Sequence, residues 1–403
     1  EVPSPPPPPG PPPIEGLYAH QAPAVRAVVL SHFHPDHYGL LHHVHPEIPV
    51  YLSREAAALA EVARIFQSGD PAPARLRDNA VLFEHGRPFA AGPFTVTPRL
   101  VDHSAFGAAS LQVEVSGRRI FYSGDFRGHG RKSGLFRRAL AELARVGADC
   151  LLLEGTTMGR PGTAEATTEK DIEDALAAEF AGQRDAAFVV AAGSNVDRLV
   201  SIYKAARRAG KTLVVDLYQL HLLERLREFA PGLPPHPGDG LRVLYVERHT
   251  RALAAHLGPE ILYRYKLRKI ETDEIAARRA DFVLRLPLDR METLAAALHA
   301  ERPLAGARFI FSMWSGYLRR EPRFQAFADT YGIPLQPIHT GGHASLADLR
   351  RLVEALQPRV IVPIHTAAAG EYRRHFARVR ELNDGESFQL PGPVPEDREE
   401  ETP

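Results

Sequence analysis

The sequence predicts an α/β protein built on parallel sheet, and three observations carry that reading. Short runs rich in β-branched residues alternate with helical stretches, an order that implies strands joined by helical crossovers. Several of these runs end in a histidine, aspartate or glutamate, where α/β sheets carry their chemistry. The chain has 403 residues, enough for two or three domains and a large core.

The first element after a proline-rich start is the run Val25–Leu30, which leads into the segment SHFHPDHYG. Nine of residues 1–13 are proline, which excludes helix and interior strand there. Ile48–Leu52 reads as a strand and Arg54–Phe66 as a helix. Phe94–Leu100, Ser110–Ser116 and Arg119–Tyr122 alternate like strands, the last two joined at Gly117. Ser133–Val146 reads as a helix and Cys150–Leu153 as a buried strand. A second region follows from about Arg160. There Thr168–Phe180, Asp197–Arg208 and Leu220–Phe229 are expected helices, and Ala187–Ala191 and Thr212–Asp216 expected strands. Residues 250–300 are mostly helical, with strands at Phe282–Leu286 and Ala307–Ser312. Leu335–His339 is expected to begin the return to the first region. Ser345–Leu356 is a serine-capped helix and Val360–Ile364 a strand. The tail after Gly392 is acidic and expected to be disordered.

Composition narrows the classes of function. With 49 basic and 49 acidic residues the net charge is zero, so a globally basic nucleic-acid-binding protein is not indicated, although a local basic groove is compatible. Arginine supplies most of the positive charge; it suits phosphate recognition, but a composition bias accounts for it as well. No apolar run is long enough for a membrane span, which excludes an integral membrane protein. Cys150 is the only cysteine, so neither a disulfide scaffold nor a cysteine-ligated zinc finger is available, and a reducing cytoplasm is the expected setting. The unusual number is 19 histidines, the commonest metal-ligand side chain.

Their placement matters most at His32-Phe-His34-Pro-Asp36-His37, just after a strand. In an extended segment alternate side chains share a face, so His32 and His34 can hold one ion. A turn after Pro35 aims Asp36 and His37 elsewhere, which suits a second. Imidazole with carboxylate suits zinc, and also manganese or iron. Further along come Val101-Asp102-His103-Ser104, Tyr122-Ser123-Gly124-Asp125, Leu152-Leu153-Glu154-Gly155-Thr156-Thr157, His339-Thr-Gly-Gly-His343-Ala344 and Val360-Ile-Val-Pro-Ile364-His365. Taken singly, His103 or Asp125 is more often structural; their order is what carries weight.

HFHPDH resembles the HxHxDH signature of the metallo-β-lactamase superfamily. The three late motifs resemble motifs A, B and C of its β-CASP branch, and DHS with HxxGHA is similar to ribonuclease J-like proteins. The resemblance covers most of residues 25–370. It implies an αββα sandwich whose first strands are missing here, because only about 30 residues precede the histidine motif. It also implies an inserted α/β β-CASP domain, for which the roughly 190 residues between Glu154 and His343 give room. The implied layout is a proline-rich tail or linker at 1–23, the first part of the sandwich at 24–158, the insertion at 159–333, the second part at 334–392 and a disordered tail at 393–403.

By matching motifs, the resemblance places His32, His34 and His103 on a first metal ion, Asp36, His37 and His365 on a second, and Asp125 between them. His343 would face the scissile phosphate, oriented by Glu154. Two divalent ions, zinc foremost with manganese or iron as alternatives, would supply hydroxide at neutral pH for in-line attack on phosphorus. Gly341, Gly342 and the helix starting near Ser345 offer backbone N–H groups to a phosphate. Ser194 and Asn195, in a stretch similar to SN-x-x-R of the inserted domain, either contact phosphate or cap a helix. The implied substrate is single-stranded RNA, with single-stranded DNA as an extension, and a homodimer is expected by analogy alone.

The chain also departs from ribonuclease J-like proteins. Gly341 stands where they usually have serine, and FIFSMWSGYL at Phe309–Leu318 replaces their serine-glutamine-glycine-glutamate loop. The chain stops soon after His365, so the C-terminal domain of that family is not expected. Trp314 in the altered segment reads as core packing ahead of base stacking. His42, His43 and His45 read as surface residues. Arg127, His129, Arg131 and Lys132 read as a solvated loop or a basic lip for RNA. Two other functions compete: hydrolysis of a small ester, thioester or lactone on the same fold, and non-catalytic RNA binding.

Overall fold

In the computed structural model, described for residues 12–390 apart from 68, 161–166, 237 and 239, strands form three sheets. The expected proline-rich segment over residues 1–11 and the acidic tail lie outside the described residues. A three-stranded parallel sheet orders Val28–Val29, Val50–Ser53 and Ala80–Phe83. A six-stranded sheet runs from Val360–Ile364 through Cys150–Glu154, Arg118–Tyr122, Ala109–Val115 and Phe94–Leu100 to Phe89–Ala91. Its first two pairings are parallel and the others antiparallel.

These two sheets face each other over Phe83, Ala91, Val96, Ala109 and Leu111, with Val29 and Tyr51 packed against them. Helices cover the outer faces. Arg54–Phe66 starts where the Ser53 hydroxyl accepts the Ala56 N–H at 3.0 Å, and its alanine-rich face is buried. On the far side Ser133–Leu143 and Leu346–Leu356 pack on Leu151, Leu153 and Phe121. This is the expected αββα sandwich. Among the described residues only the two-residue strand Val28–Val29 precedes the histidine motif.

The inserted part is a seven-stranded, all-parallel sheet. Its order is Lys269–Ile270, Leu241–Leu244, Thr212–Val215, Phe282–Leu284, Ala187–Val190, Arg308–Phe311 and Leu335–Pro337. Strands such as Ala187–Val190 are buried at every residue, as expected for a sheet covered on both faces. Leu199, Leu217, Leu220 and Leu223 cover one face, Met291, Leu294, Leu298 and Phe327 the other. The first of these clusters continues into Val62 and Ile65 of the sandwich, and Arg225 reaches Glu61 at 2.8 Å, so the two halves share apolar core.

Three details differ from the sequence reading. Leu335–Pro337 pairs with Phe309–Phe311, so this strand extends the inserted sheet and the return to the sandwich follows Pro337. Residues 67–93, left without regular structure by the sequence, hold the helix Ala72–Asn79 and two strands. The helix expected from Leu220 begins at Leu217, because Asp216 accepts the Gln219 N–H at 2.9 Å and caps it there. No helix among the described residues is long and apolar enough to cross a membrane.

Candidate metal centre and its cleft

The histidine motif leaves the Val28–Val29 strand and turns at once into a short helix, Pro35–Tyr38. Proline at the first helical position is pre-set for that turn. The turn separates two sets of side chains, as the spacing suggested. His32, His34 and His103 offer ligand atoms within 4.8 Å of one another, and so do Asp36, His37 and His365. His32, His37 and Asp125 form a further such group, as do Asp125, Glu154, His343 and His365. Asp125 therefore sits among all of them. Its Oδ2 lies 3.2 Å from His37 Nε2 and 3.7 Å from His32 Nε2, and its Oδ1 lies 3.6 Å from His365 Nδ1.

Whether these residues fit a metal can be tested on one atom. His32 is fully buried, and its Nε2 has no hydrogen-bond partner. Its other nitrogen is held by the Ser31 hydroxyl at 3.1 Å. A buried polar atom left without a partner is costly, and an aimed imidazole nitrogen beside a carboxylate is what a divalent cation takes. Charge points the same way. Burial, then the neighbouring imidazoles, hold His32 and His103 well below the usual histidine range, and burial brings His34 down to about 4. Neutral imidazoles are the ligand form. The His365 hydrogen bond, above all, draws the Asp36 carboxyl far below its ordinary value.

Residues behind these groups hold them in place. His103 Nδ1 meets the Gly342 carbonyl at 2.6 Å, and His365 Nδ1 meets the Thr156 hydroxyl at 2.6 Å. Such partners fix which ring nitrogen is left for a metal. Ser31 and Thr156 were not singled out by sequence, although both lie inside or beside the motifs that were. Glu154, at the buried end of its strand, accepts the backbone N–H groups of Phe126 at 3.1 Å and Ala344 at 3.2 Å on one oxygen, and that of Thr156 at 3.3 Å on the other. The same carboxylate lies 3.3 Å from His343 Nδ1. Burial works against protonating His343, but Glu154 and Asp125 outweigh it and raise its pKa.

These groups open onto a cleft of about 430 Å³ between the sandwich and the inserted sheet. Gly341 and Gly342 lie on it. A Cβ on Gly342 would come within 2.6 Å of the Ser104 hydroxyl, so only glycine lets the loop approach His103 this closely. Ser194 and Asn195 also line the cleft, and Asn195 in addition accepts the Arg198 N–H at 3.0 Å and caps the helix Val196–Arg208. Ser345 caps its own helix on the Asp348 N–H at 3.2 Å. Trp314, read as core from the sequence, is exposed on the cleft wall because its segment follows a strand end rather than lying inside the sheet. His42 and His43 are exposed on the turn Leu41–His43, and His45 is half-buried just beyond it.

The basic stretch after Asp125 is neither a lip nor a solvated loop. Arg127 is fully buried, its guanidinium 3.0 Å from Asp102, 2.7 Å from Asp197 and 3.5 Å from Glu169. Arg198, also buried, meets Glu169 at 2.8 Å, the Ser312 hydroxyl at 2.7 Å and the Thr340 carbonyl at 3.2 Å. Arg131 pairs with Glu173. These charges join the sandwich to the inserted domain directly behind the cleft.

Comparison with known proteins agrees with this geometry. Residues 7–183 match the β-lactamase superfamily domain. Ribonuclease J of Sinorhizobium meliloti is 23% identical over 400 residues, covering 93% of this chain and 65% of that protein. Ribonuclease J of Mycobacterium tuberculosis is 29% identical over 196 residues, covering 46% of this chain and 33% of that protein. The chain thus spans from a third to just under two thirds of these relatives. A crystal structure of a protein of unknown function from Enterococcus faecalis superposes with a TM-score of 0.72 at 21% identity, over 93% of this chain and 85% of that one. The chain carries a metallo-β-lactamase superfamily domain. Over most of its length it is similar to ribonuclease J.

Proposed function

We propose that this protein is a divalent-metal-dependent hydrolase of phosphodiester bonds in single-stranded RNA. The observation that carries the reading is the convergence of nine histidine, aspartate and glutamate side chains, of which His34, Asp36, His343 and His365 line a cleft walled on its other side by the inserted domain. The similarity to ribonuclease J supports RNA as the substrate. The lone, buried Cys150 is compatible with a reducing, cytoplasmic setting.

In this reading His32, His34 and His103 would hold one ion and Asp36, His37 and His365 the other, with Asp125 as a ligand available to both. Zinc suits the imidazole-rich first set, and manganese or iron are the alternatives. The chemistry supplied by bound metal at these residues would be hydroxide at neutral pH and relief of charge on the phosphoryl oxygens. The chain's own residues do the rest. His343 presents Nδ1 to Glu154, which leaves Nε2 for the substrate. The Glu154 carboxylate favours the protonated form of this imidazole, which could stabilise a developing oxyanion or give its proton to the leaving oxygen. Backbone N–H groups around Gly341 and Gly342, on the same cleft, would donate hydrogen bonds to a neighbouring phosphate.

The test is cleavage of a 5′-labelled single-stranded RNA by metal-loaded protein, with zinc and with manganese, beside Asp36→Ala. Internal fragments that vanish in the variant mean an endonuclease, and labelled mononucleotide means a 5′-exonuclease. Intact RNA with two ions bound per chain would end this reading and turn attention to small esters, thioesters and lactones.

A further inference from the structure

The segment after the Arg308–Phe311 strand is the part of the sequence that departs most from ribonuclease J-like proteins, and it stands on the wall of the cleft. Ser312, its first residue, is fixed: its hydroxyl donates to the Ile338 carbonyl at 2.6 Å and accepts from buried Arg198 at 2.7 Å. Two residues on, Trp314 and Tyr317 are 38% and 44% exposed, among the few large apolar side chains left open to solvent. Their rings meet edge to face, with centroids 5.7 Å apart and planes at 83°. The Arg160 guanidinium lies 5.3 Å from the indole centroid and that of Arg320 5.7 Å. Beneath the indole is Gly316, where a Cβ would come within 2.3 Å of the ring. The ring thus lies against bare backbone and is held in one place. Trp314, Tyr317 and Arg160 line the same cleft as His34, Asp36 and His343.

From this juxtaposition we infer that Trp314, braced by Tyr317 and Gly316, is a base-stacking platform that positions one nucleobase of a single-stranded nucleic acid beside the candidate metal centre. The inference rests on the phosphodiesterase reading and adds a substrate-positioning residue to it. The chemistry is particular to nucleic acid. A two-ring π surface takes a planar base, and the guanidinium groups over it can take the phosphates on either side. An exposed contact between a guanidinium and an indole is weaker than base stacking, so an incoming base can displace an arginine from the ring and leave it to the backbone. Stacking of this kind tolerates any base, so it aligns a strand without selecting a sequence.

Trp314 is the only tryptophan in the chain, so its emission reports this one site. The experiment is stopped-flow mixing of the metal-loaded full chain with oligoadenylate, read before cleavage, beside an abasic strand of equal length and charge. Anisotropy of labelled oligoadenylate gives the affinities of wild type, Trp314→Ala and Trp314→Phe. Saturable quenching by oligoadenylate alone is expected. Affinity should fall about 5- to 100-fold in Trp314→Ala and recover largely in Trp314→Phe. Equal quenching by the abasic strand, or binding of oligoadenylate with unchanged emission, overturns the inference. RNA cleavage without quenching removes the platform and leaves the hydrolase. Quenching without cleavage keeps the platform and removes the hydrolase for that substrate. No binding at all removes both.

Discussion

Asp125 is the residue on which the most groups converge, with four imidazoles within 3.7 Å of its two oxygens. Replacing it by alanine is expected to lower bound metal by at least one ion per chain, measured by elemental analysis of protein loaded with zinc. His343 gives a pH prediction with a definite sign. Its pKa lies above the ordinary 6.5, because the carboxylates of Glu154 and Asp125 outweigh the burial that opposes its charge. The imidazolium therefore persists to higher pH than in an ordinary histidine, and activity that needs it declines as pH rises through the raised value. Glu154→Gln removes the larger carboxylate influence, so in a pH–rate profile the decline should move to lower pH. A profile that keeps its position would separate Glu154 from the protonation of His343. These residues were legible in the sequence because each belongs to a short motif at a strand end. Ser31 and Thr156 were harder to find, since a hydroxyl orienting an imidazole has no spacing of its own.

Elements of the sandwich near the histidine motif follow local signals closely. Arg54–Phe66 has a serine cap and a small apolar face, and Val360–Ile364 is a continuous apolar run ending at its histidine. The short parallel strands Leu241–Leu244 and Lys269–Ile270 carry too few residues to show periodicity, and only their neighbours in the sheet make them strands. Leu335–Pro337 could not be assigned to its sheet because pairing with a strand some 26 residues earlier leaves no local mark. The buried joint was misread for a related reason: four basic residues in six look solvated until their carboxylates arrive from distant helices. Glu169 is the centre of that joint, and despite its burial the two arginines bring its pKa down to about 2. Glu169→Gln leaves Arg127 and Arg198 short of a buried counter-charge, at a cost of about 3–5 kcal/mol in denaturant unfolding at pH 7. A carboxylate with a depressed pKa contributes its stability above the unfolded value. The gap between wild type and variant should therefore narrow as pH falls from near 4.5 towards 2.

At the scale of the molecule, a metal that binds only the folded state stabilises it by mass action. Chelation should lower the melting temperature, and zinc restored at a hundred times its dissociation constant should return about 2.7 kcal/mol. Asp125→Ala should blunt this response, whereas a general salt effect would leave it intact. The two halves meet in a shared core and a buried ionic joint, so unfolding should be a single transition by fluorescence and by circular dichroism alike.

The parallel pairing of Val360–Ile364 with Cys150–Glu154 sets the two chain-distant motifs side by side, with Ile364 directly opposite Glu154. On a ribosome this pairing is a clock. Residues up to Glu154 emerge carrying most of the histidines and carboxylates, but His343 and His365 are not yet made, and the whole inserted sheet must be synthesised between them. Contacts so far apart in sequence form late in folding. The centre is therefore completed only after the inserted domain that walls the cleft has been made.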